Sequence, residues 1–355
     1  MEAGQLTELG MELANDYDDP RWDEVLDQVP FNHAQHILTM DTQYKCPGIE
    51  AIGLRSNDDG AWQHAEGASQ VGNGHMAPNT SCVGYPGSTV LAQTWNQTLA
   101  YMYGKSEGND MGPAGKDALY SPACNIHRSP FGGRNSGYQS EDPYLSGRVI
   151  GNLIRGLGVY GKTSFVKHFA LNEQETHRSS NGQNYWCEEQ AIRELYLKPF
   201  EFAVKEGKTK GVMSSFTRIG TKWTGGNYNL LTGVLRNEWG FQGSVICDFH
   251  TDAYMNNRQM IEAGGDLNLT TTRQWSKADK NSANDVTVLR RSAHNNLYAL
   301  ANSNAVQFEI IGYKLPVWEE ILFVVDGVIS AGVVAWGAWA IVSTLRKKEI
   351  VEEAK

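Results

Sequence analysis

The sequence lacks the marks of a nucleic-acid binder or a metalloprotein. Lysine and arginine number 31 against 40 aspartates and glutamates, a net charge of −9. No basic patch stands out beyond Arg346 to Lys348, and with a net negative charge no nucleic-acid partner is expected. Five cysteines are scattered without the spacing of a metal site, and an odd number cannot all pair internally. Neither a metal nor another cofactor is therefore expected. The opening residues Met1 to Leu6 have neither the basic start nor the apolar run of a secretory signal.

Long apolar runs are also missing, with one exception. Residues 321–345 carry a single charge, Asp326, and about 25 helical residues cover roughly 37 Å, enough to cross a bilayer with some tilt. Trp318 precedes the run, Trp336 and Trp339 lie in its second half, and Arg346, Lys347 and Lys348 follow it. Positive charges at that end predict a single-pass anchor in the cell membrane, with the C-terminus cytoplasmic and everything before the helix extracytoplasmic. A buried globular helix is the competing reading of the same run.

What the chain does have is an alternation of short apolar runs and amphipathic stretches. Runs 166–171, 211–216, 244–249 and 264–270 read as strands, and 188–206, 229–239 and 253–263 as helices, with Gly207, Gly240 and Gly264 at their ends. Apolar strands alternating with helices argue for parallel βαβ units covered on both faces. Polar residues gather where the strands end: Lys167 and His168, Ser214 to Arg218, Asp248 to His250, and Asp266. The C-terminal ends of strands are where a (β/α)8 barrel builds its active site. Lys167 and His168 are adjacent, and neighbours on a strand face opposite ways, so two polar residues there suggest the strand is already opening into a loop that grips a polyhydroxylated ligand.

Lys167-His168-Phe169 followed by Asn172 and Glu175, and the block from Trp239 through Gly240, Phe241 and Gly243 to Asp248, resemble the catalytic barrel of glycoside hydrolase family 3. The block from Pro122 to Asn135, with Ser140 to Gly147, resembles that family's arginine loop, and Asp59-Gly60 its sugar-binding Asp-Gly. The likeness runs from about Tyr17 to Asn302. Several blocks in the family's order make it specific where one alone would be weak.

The resemblance implies a retaining exo-acting β-glycosidase, with Asp248 as nucleophile and Asp59, Arg134, Lys167 and His168 on hydroxyls of the terminal sugar. A short carboxylate ending a strand of small and apolar residues suits that role, although a strand-end Asp can also cap the next helix. Arg134 could equally pair with Glu141 or Asp142. Phe249 stands where the family places an aromatic, often Trp, beside the nucleophile, and Phe216 where many members have Tyr. Ser136 and Gly137 replace a bulky residue and a Glu.

Retention needs a second carboxyl about 5 to 5.5 Å from the first. In most of the family it is a Glu on a separate α/β sandwich domain, and the segment after Asn302 is too short to hold one. Glu173, Glu175, His177, His250 and Asp252 lie close in sequence, but each also reads as a loop or supporting residue. The segments Tyr17 to Gln28 and Leu289 to Asn304 resemble permuted members in which the sandwich precedes the barrel, which points to a missing N-terminal part or a partner domain that supplies the acid/base.

The resulting expectation is an α/β, TIM-like (β/α)8 barrel followed by a single C-terminal transmembrane helix. Residues 1–18 would be a tail or linker, 19–303 the barrel, 304–320 a linker, 321–345 the membrane helix and 346–355 a cytoplasmic tail. The substrate would be a β-linked glucoside or oligosaccharide, with a β-xyloside as the alternative sugar. A non-catalytic, membrane-anchored sugar-binding or scaffold protein is the alternative from another class.

Overall fold

A computed structural model describes residues 8–37, 45–46, 62–65, 84–178, 182–249, 254–269, 278–304 and 317–353. Asp59, His250 and Asp252 lie outside the described residues. The described residues fall in two compact units, one running to Ile310 and the other starting at Ile311.

The first unit is organised by a sheet whose strands are β1 (Lys45–Cys46), β2 (Trp62–Ala65), β3 (Ala118–Leu119), β4 (Thr163–Phe169), β6 (Gly211–Ser214) and β9 (Ser244–Ile246). They neighbour one another in that order. β1 is antiparallel to β2, and every later pair is parallel. A bridge from Ile246 to Leu267 carries the pairing one step further. Strands that follow chain order with helices between them are the repeating unit of a barrel.

Burial follows the strand period of two. All seven residues of β4 are buried, and they divide between two cores. Phe165 joins Tyr120, Met213 and Ile246, while Val166 joins Ile154, Phe200, Val212 and Leu235. Both faces are covered, which is why these strands read as unbroken apolar runs.

Helix ends are fixed by side chains. Asp142 opens Pro143–Gly158 by accepting from the Tyr144 and Leu145 N–H groups at 2.7 and 2.8 Å, and proline at the first turn forfeits no hydrogen bond. Asn256 does the same for Asn257–Ala263, which Gly264 ends at φ +113°. The helix Gln97–Met111 crosses Pro143–Gly158 at backbone contact: a Cβ at Gly104 would lie 2.0 Å from the Leu153 carbonyl oxygen, and one at Gly156 2.2 Å from that of Tyr101.

Some expected elements are shorter or broken. The helix expected over 188–206 is three pieces, Glu189–Ala191, a π turn at Ile192–Tyr196, and Lys198–Lys205. Pro199 has no N–H to continue the ladder and crowds the preceding turn, so the helix restarts there. The strand expected over 264–270 contracts to the bridge at Leu267 because the Asp266 carboxylate, rather than a neighbouring backbone carbonyl, accepts the Val245 N–H at 2.8 Å. Asp266 also binds Arg236 at 2.6 Å and Asn295 at 2.8 Å. It holds the fold together and is not part of the polar group at the strand ends. A small second sheet that the sequence did not announce, β5 (Asn184–Tyr185), β7 (Arg218–Ile219) and β8 (Lys222–Trp223), joins the loops after β4 and β6.

The boundary expected at residue 18 falls inside a packed segment. Leu13 and Trp22 are buried, Tyr17 stacks on His294 at 4.3 Å and meets Tyr298 edge-on at 5.0 Å, and Arg290 pairs with Asp23 and Asp27. Residues 8–18 are therefore part of the body rather than a linker. The two sequence blocks, near Tyr17 and near His294, meet in this contact.

Burial also pushes His294 down to about 4. An unfolded histidine titrates near 6.5 and a native one buried neutral resists its proton, so stability should fall as pH drops from about 6.5 to about 4, by at most about 3 kcal/mol. Thermal melts should show this loss in the native sequence and a smaller one in His294→Phe, which keeps the stack without the titration. Parallel pH profiles for the two would contradict it.

The second unit is one helix, Val317–Glu353, of 37 residues. Its stretch Ile321–Arg346 has a mean hydropathy of 2.0 over its most apolar window and is long and apolar enough, by composition, to cross a membrane. Trp336 and Trp339 are 69% and 66% exposed.

Candidate active site

Asp248 lies two residues beyond the end of β9, and two backbone bonds fix where it points. Its N–H donates to the Ser214 carbonyl at 3.0 Å, and the Cys247 N–H donates to that of Leu267, also at 3.0 Å. The peptide after it turns back, so that the Phe249 N–H donates to Asp248 Oδ1 at 2.8 Å. Among the described residues the next helix, Asn257–Ala263, is capped by Asn256 and not by Asp248. Its neighbour Cys247 is buried, donates to Asn268 Oδ1 at 3.2 Å and is pushed up to about 12 by burial. It stays a thiol and is no nucleophile.

Oδ2 of Asp248 faces two residues from the β4 end and its loop: Arg178 Nη1 at 3.4 Å and His168 Nε2 at 3.8 Å. His168 is 2% exposed. Burial first, and then the positive charges of Lys167, Arg134 and Arg178, hold its imidazole well below the usual histidine range. A neutral ring at 3.8 Å makes neither an ion pair nor a hydrogen bond with Asp248; it is a polar edge beside the carboxylate. The peptide bonds Lys167–His168 and Phe169–Ala170 are both cis.

Glu175 ties the loop to this pair. Its Oε2 takes Arg178 Nε at 2.7 Å and its Oε1 takes Arg134 Nε at 3.3 Å, while Asn172 Nδ2 donates to Oε1 at 3.2 Å. Arg134 thus meets Glu175 rather than Glu141 or Asp142, and Asp142 is engaged as a helix cap. The Arg178 guanidinium stands 4.7 Å over the Phe216 ring, a favourable cation–π placement. Phe216 is itself fixed: its carbonyl accepts from Tyr254 OH at 2.9 Å, and Ser215 and Thr217 on either side both donate to the Ala170 carbonyl.

Of the residues singled out from sequence, Arg134, His168, Phe216 and Asp248 are joined by these contacts. Lys167 is buried in β4, its N–H donating to the Pro122 carbonyl at 3.1 Å, and Phe249 packs against the core that contains Ile246 and Cys247. Sequence reasoning missed Arg178 as a contact of Asp248. The i,i+3 spacing could have tied Arg178 to Glu175, but nothing local tied it to Asp248.

Four buried polar atoms here have no hydrogen-bond partner within the protein: His168 Nδ1, Asn172 Oδ1, Glu173 Oε2 and Ser214 Oγ. Buried polar atoms nearly always find partners. These four, at or just beyond the ends of β4 and β6, are exceptions among the described residues.

Residues 68–294 match the profile described as glycosyl hydrolase family 3 N terminal domain. The chain is 37% identical over 196 residues to β-glucosidase A of Butyrivibrio fibrisolvens, covering 55% of this chain and 23% of that protein. To a β-glucosidase of Rhizobium radiobacter it is 34% identical over 252 residues, 70% of this chain and 29% of that one. The solved structure of β-glucosidase 3B from Thermotoga neapolitana in complex with glucose superposes with a TM-score of 0.71 at 28% identity, over 82% of this chain and 44% of that one. The match spans only about a quarter of the length of these curated relatives. The superposition identifies the parallel sheet and its helices as a TIM-like α/β barrel. The profile match takes in Asp248 and the Arg134, His168, Glu175 and Arg178 contacts around it, and on that match the chain belongs to glycosyl hydrolase family 3.

Proposed function

We propose that this chain is the barrel of a retaining exo-acting β-glycosidase, with Asp248 as its nucleophile and a terminal β-glucoside as its substrate. The observation that carries the reading is Asp248 itself, an 8% exposed carboxylate at a parallel strand end, with Arg178 at 3.4 Å and the neutral His168 beside it. A carboxylate oxygen attacks the anomeric carbon, and the bond to the leaving oxygen breaks with its electron pair on that oxygen, which takes a proton from the acid. Water, giving its proton to the same group acting as base, then displaces Asp248. Arg134, Lys167, His168 and Asp59 hold the sugar hydroxyls, and Phe216 and Phe249 supply aromatic surface.

We take the acid/base to come from outside the barrel, since the candidates among the described residues are otherwise engaged or exposed. Glu175 is committed to two arginines, Glu173 to Asn125, and His177 is exposed. The likeness of the segments Tyr17 to Gln28 and Leu289 to Asn304 to permuted members is the ground for placing the chain in that subgroup, in which a sandwich domain precedes the barrel and supplies that group. The helix Ile321–Arg346 anchors the barrel to the cell membrane, barrel outside and C-terminus in the cytoplasm. Cleavage of the barrel by protease on intact cells, with the end beyond Arg346 protected, supports that topology; recovery of the full chain in a detergent-free soluble fraction contradicts it.

Hydrolysis of dinitrophenyl β-glucoside tests the activity, because an activated leaving group needs little protonation. Slow release by the full chain, faster when the sandwich domain of a relative is added, is the expected result, with a lower rate on the β-xyloside. Glucose binding with no release from either sugar under both conditions would favour the non-catalytic scaffold instead.

A further inference from the structure

Glu173 takes no part in the chemistry above, yet it is among the most constrained polar side chains near the site. It is buried in the loop after β4, and its Oε1 accepts from Asn125 Nδ2 at 3.3 Å. Asn125 grips the His168 peptide at both ends: Nδ2 donates to the His168 carbonyl at 3.1 Å, and Oδ1 accepts the His168 N–H at 2.8 Å. The same histidine brings Nε2 to 3.8 Å from Asp248. A chain of contacts thus runs from Glu173 through one amide to the residue beside the nucleophile.

We propose that Glu173 is a positioning residue: it fixes the Asn125 amide, and through it the His168 peptide, against Asp248. The inference rests on the reading of Asp248 as nucleophile only for its effect on rate; the contact chain stands apart from it. A neutral carboxyl suits this place. The charged group that acts on Glu173 is Arg128, and the titratable groups that interact with it are Tyr138, Tyr185, Cys187 and Tyr196. Burial pushes the carboxyl up to about 7, against the opposing pull of Asn125, the Glu173 and Ile126 backbone N–H groups and Arg128. Its second oxygen has no partner, and a buried carboxylate with an unmatched oxygen is costly. Ionisation would draw Asn125 and the loop toward a new arrangement, and the His168 peptide would lose part of its grip.

Two readouts on the full chain test this. Hydrogen exchange of the His168 amide needs no substrate. Losing a hydrogen-bonded partner typically costs about 1.4 kcal/mol, or about tenfold, so Glu173→Ala should speed exchange of that amide about tenfold while E173Q keeps it slow. Exchange at His168 in Glu173→Ala that matches the native chain would overturn the proposal. The second readout is the rate of covalent labelling by an activated 2-fluoro-β-glucoside between pH 5 and 9. The native rate should fall as pH rises through about 7, and E173Q, which cannot ionise, should show no such fall. An E173Q profile that tracks the native one would equally overturn it. If nothing labels but His168 exchange responds as stated, the positioning role stands and the nucleophile reading fails.

Discussion

Asp248→Ala should lower hydrolysis of an activated aryl β-glucoside by about 10⁴-fold or more, because the variant leaves the anomeric carbon with no protein atom to bond to. The loss should fall on kcat while the affinity for glucose changes little, since the hydroxyl contacts come from other residues. Azide supplies a control that a merely structural role would fail. In the small space left by the carboxylate it should restore part of the rate and give the α-glycosyl azide, one displacement instead of two. Asp248→Ala with normal turnover, or a loss that azide leaves unchanged alongside a lowered melting temperature, would remove Asp248 from the chemistry.

Arg178→Ala carries the second largest expected effect. Its guanidinium is shared among Asp248, Glu175 and the Phe216 ring, so its loss frees the nucleophile's side chain and leaves Glu175 to Arg134 and Asn172. Charge-assisted contacts of this kind contribute about 1.5 to 3 kcal/mol, and kcat/KM should drop about 10- to 100-fold. Arg178→Lys should recover only part, because an ammonium cannot spread over an aromatic face and two carboxylates as a planar guanidinium does. Full activity in Arg178→Ala would mean that Asp248 is oriented by its backbone contacts alone.

The difference between the two residues shows what the sequence discloses. Asp248 is legible because it ends an apolar run inside a block of family-like spacing, and the strand that aims it is local. Arg178 was unreadable as a contact of Asp248 because the two are 70 positions apart and meet only when β4 and β9 enter one sheet on either side of β6. The same holds for Glu175, whose pairing with Arg134 joins two loops that periodicity does not relate. Strand existence came from apolar runs, but strand ends did not. Asp266 sits in an apparent strand, yet its carboxylate takes the Val245 N–H, a side-chain substitution for a ladder bond that hydrophobic pattern cannot reveal. The broken helix at Ile192–Lys198 was signalled by Pro199, whose effect on the preceding turn is local chemistry. The packed segment around Tyr17 was hidden for another reason: polar residues such as Asp18, Asp19 and Arg21 surround the few side chains it buries.

The most direct test of the account is mass spectrometry of the full chain after incubation with a 2-fluoro-β-glucoside bearing an activated leaving group. Fluorine at C2 slows both steps and the leaving group restores the first, so a glycosyl-enzyme should accumulate. The account predicts one added fluoroglucosyl group on the peptide that contains Asp248, absent from Asp248→Ala. A label on any other carboxylate would contradict it.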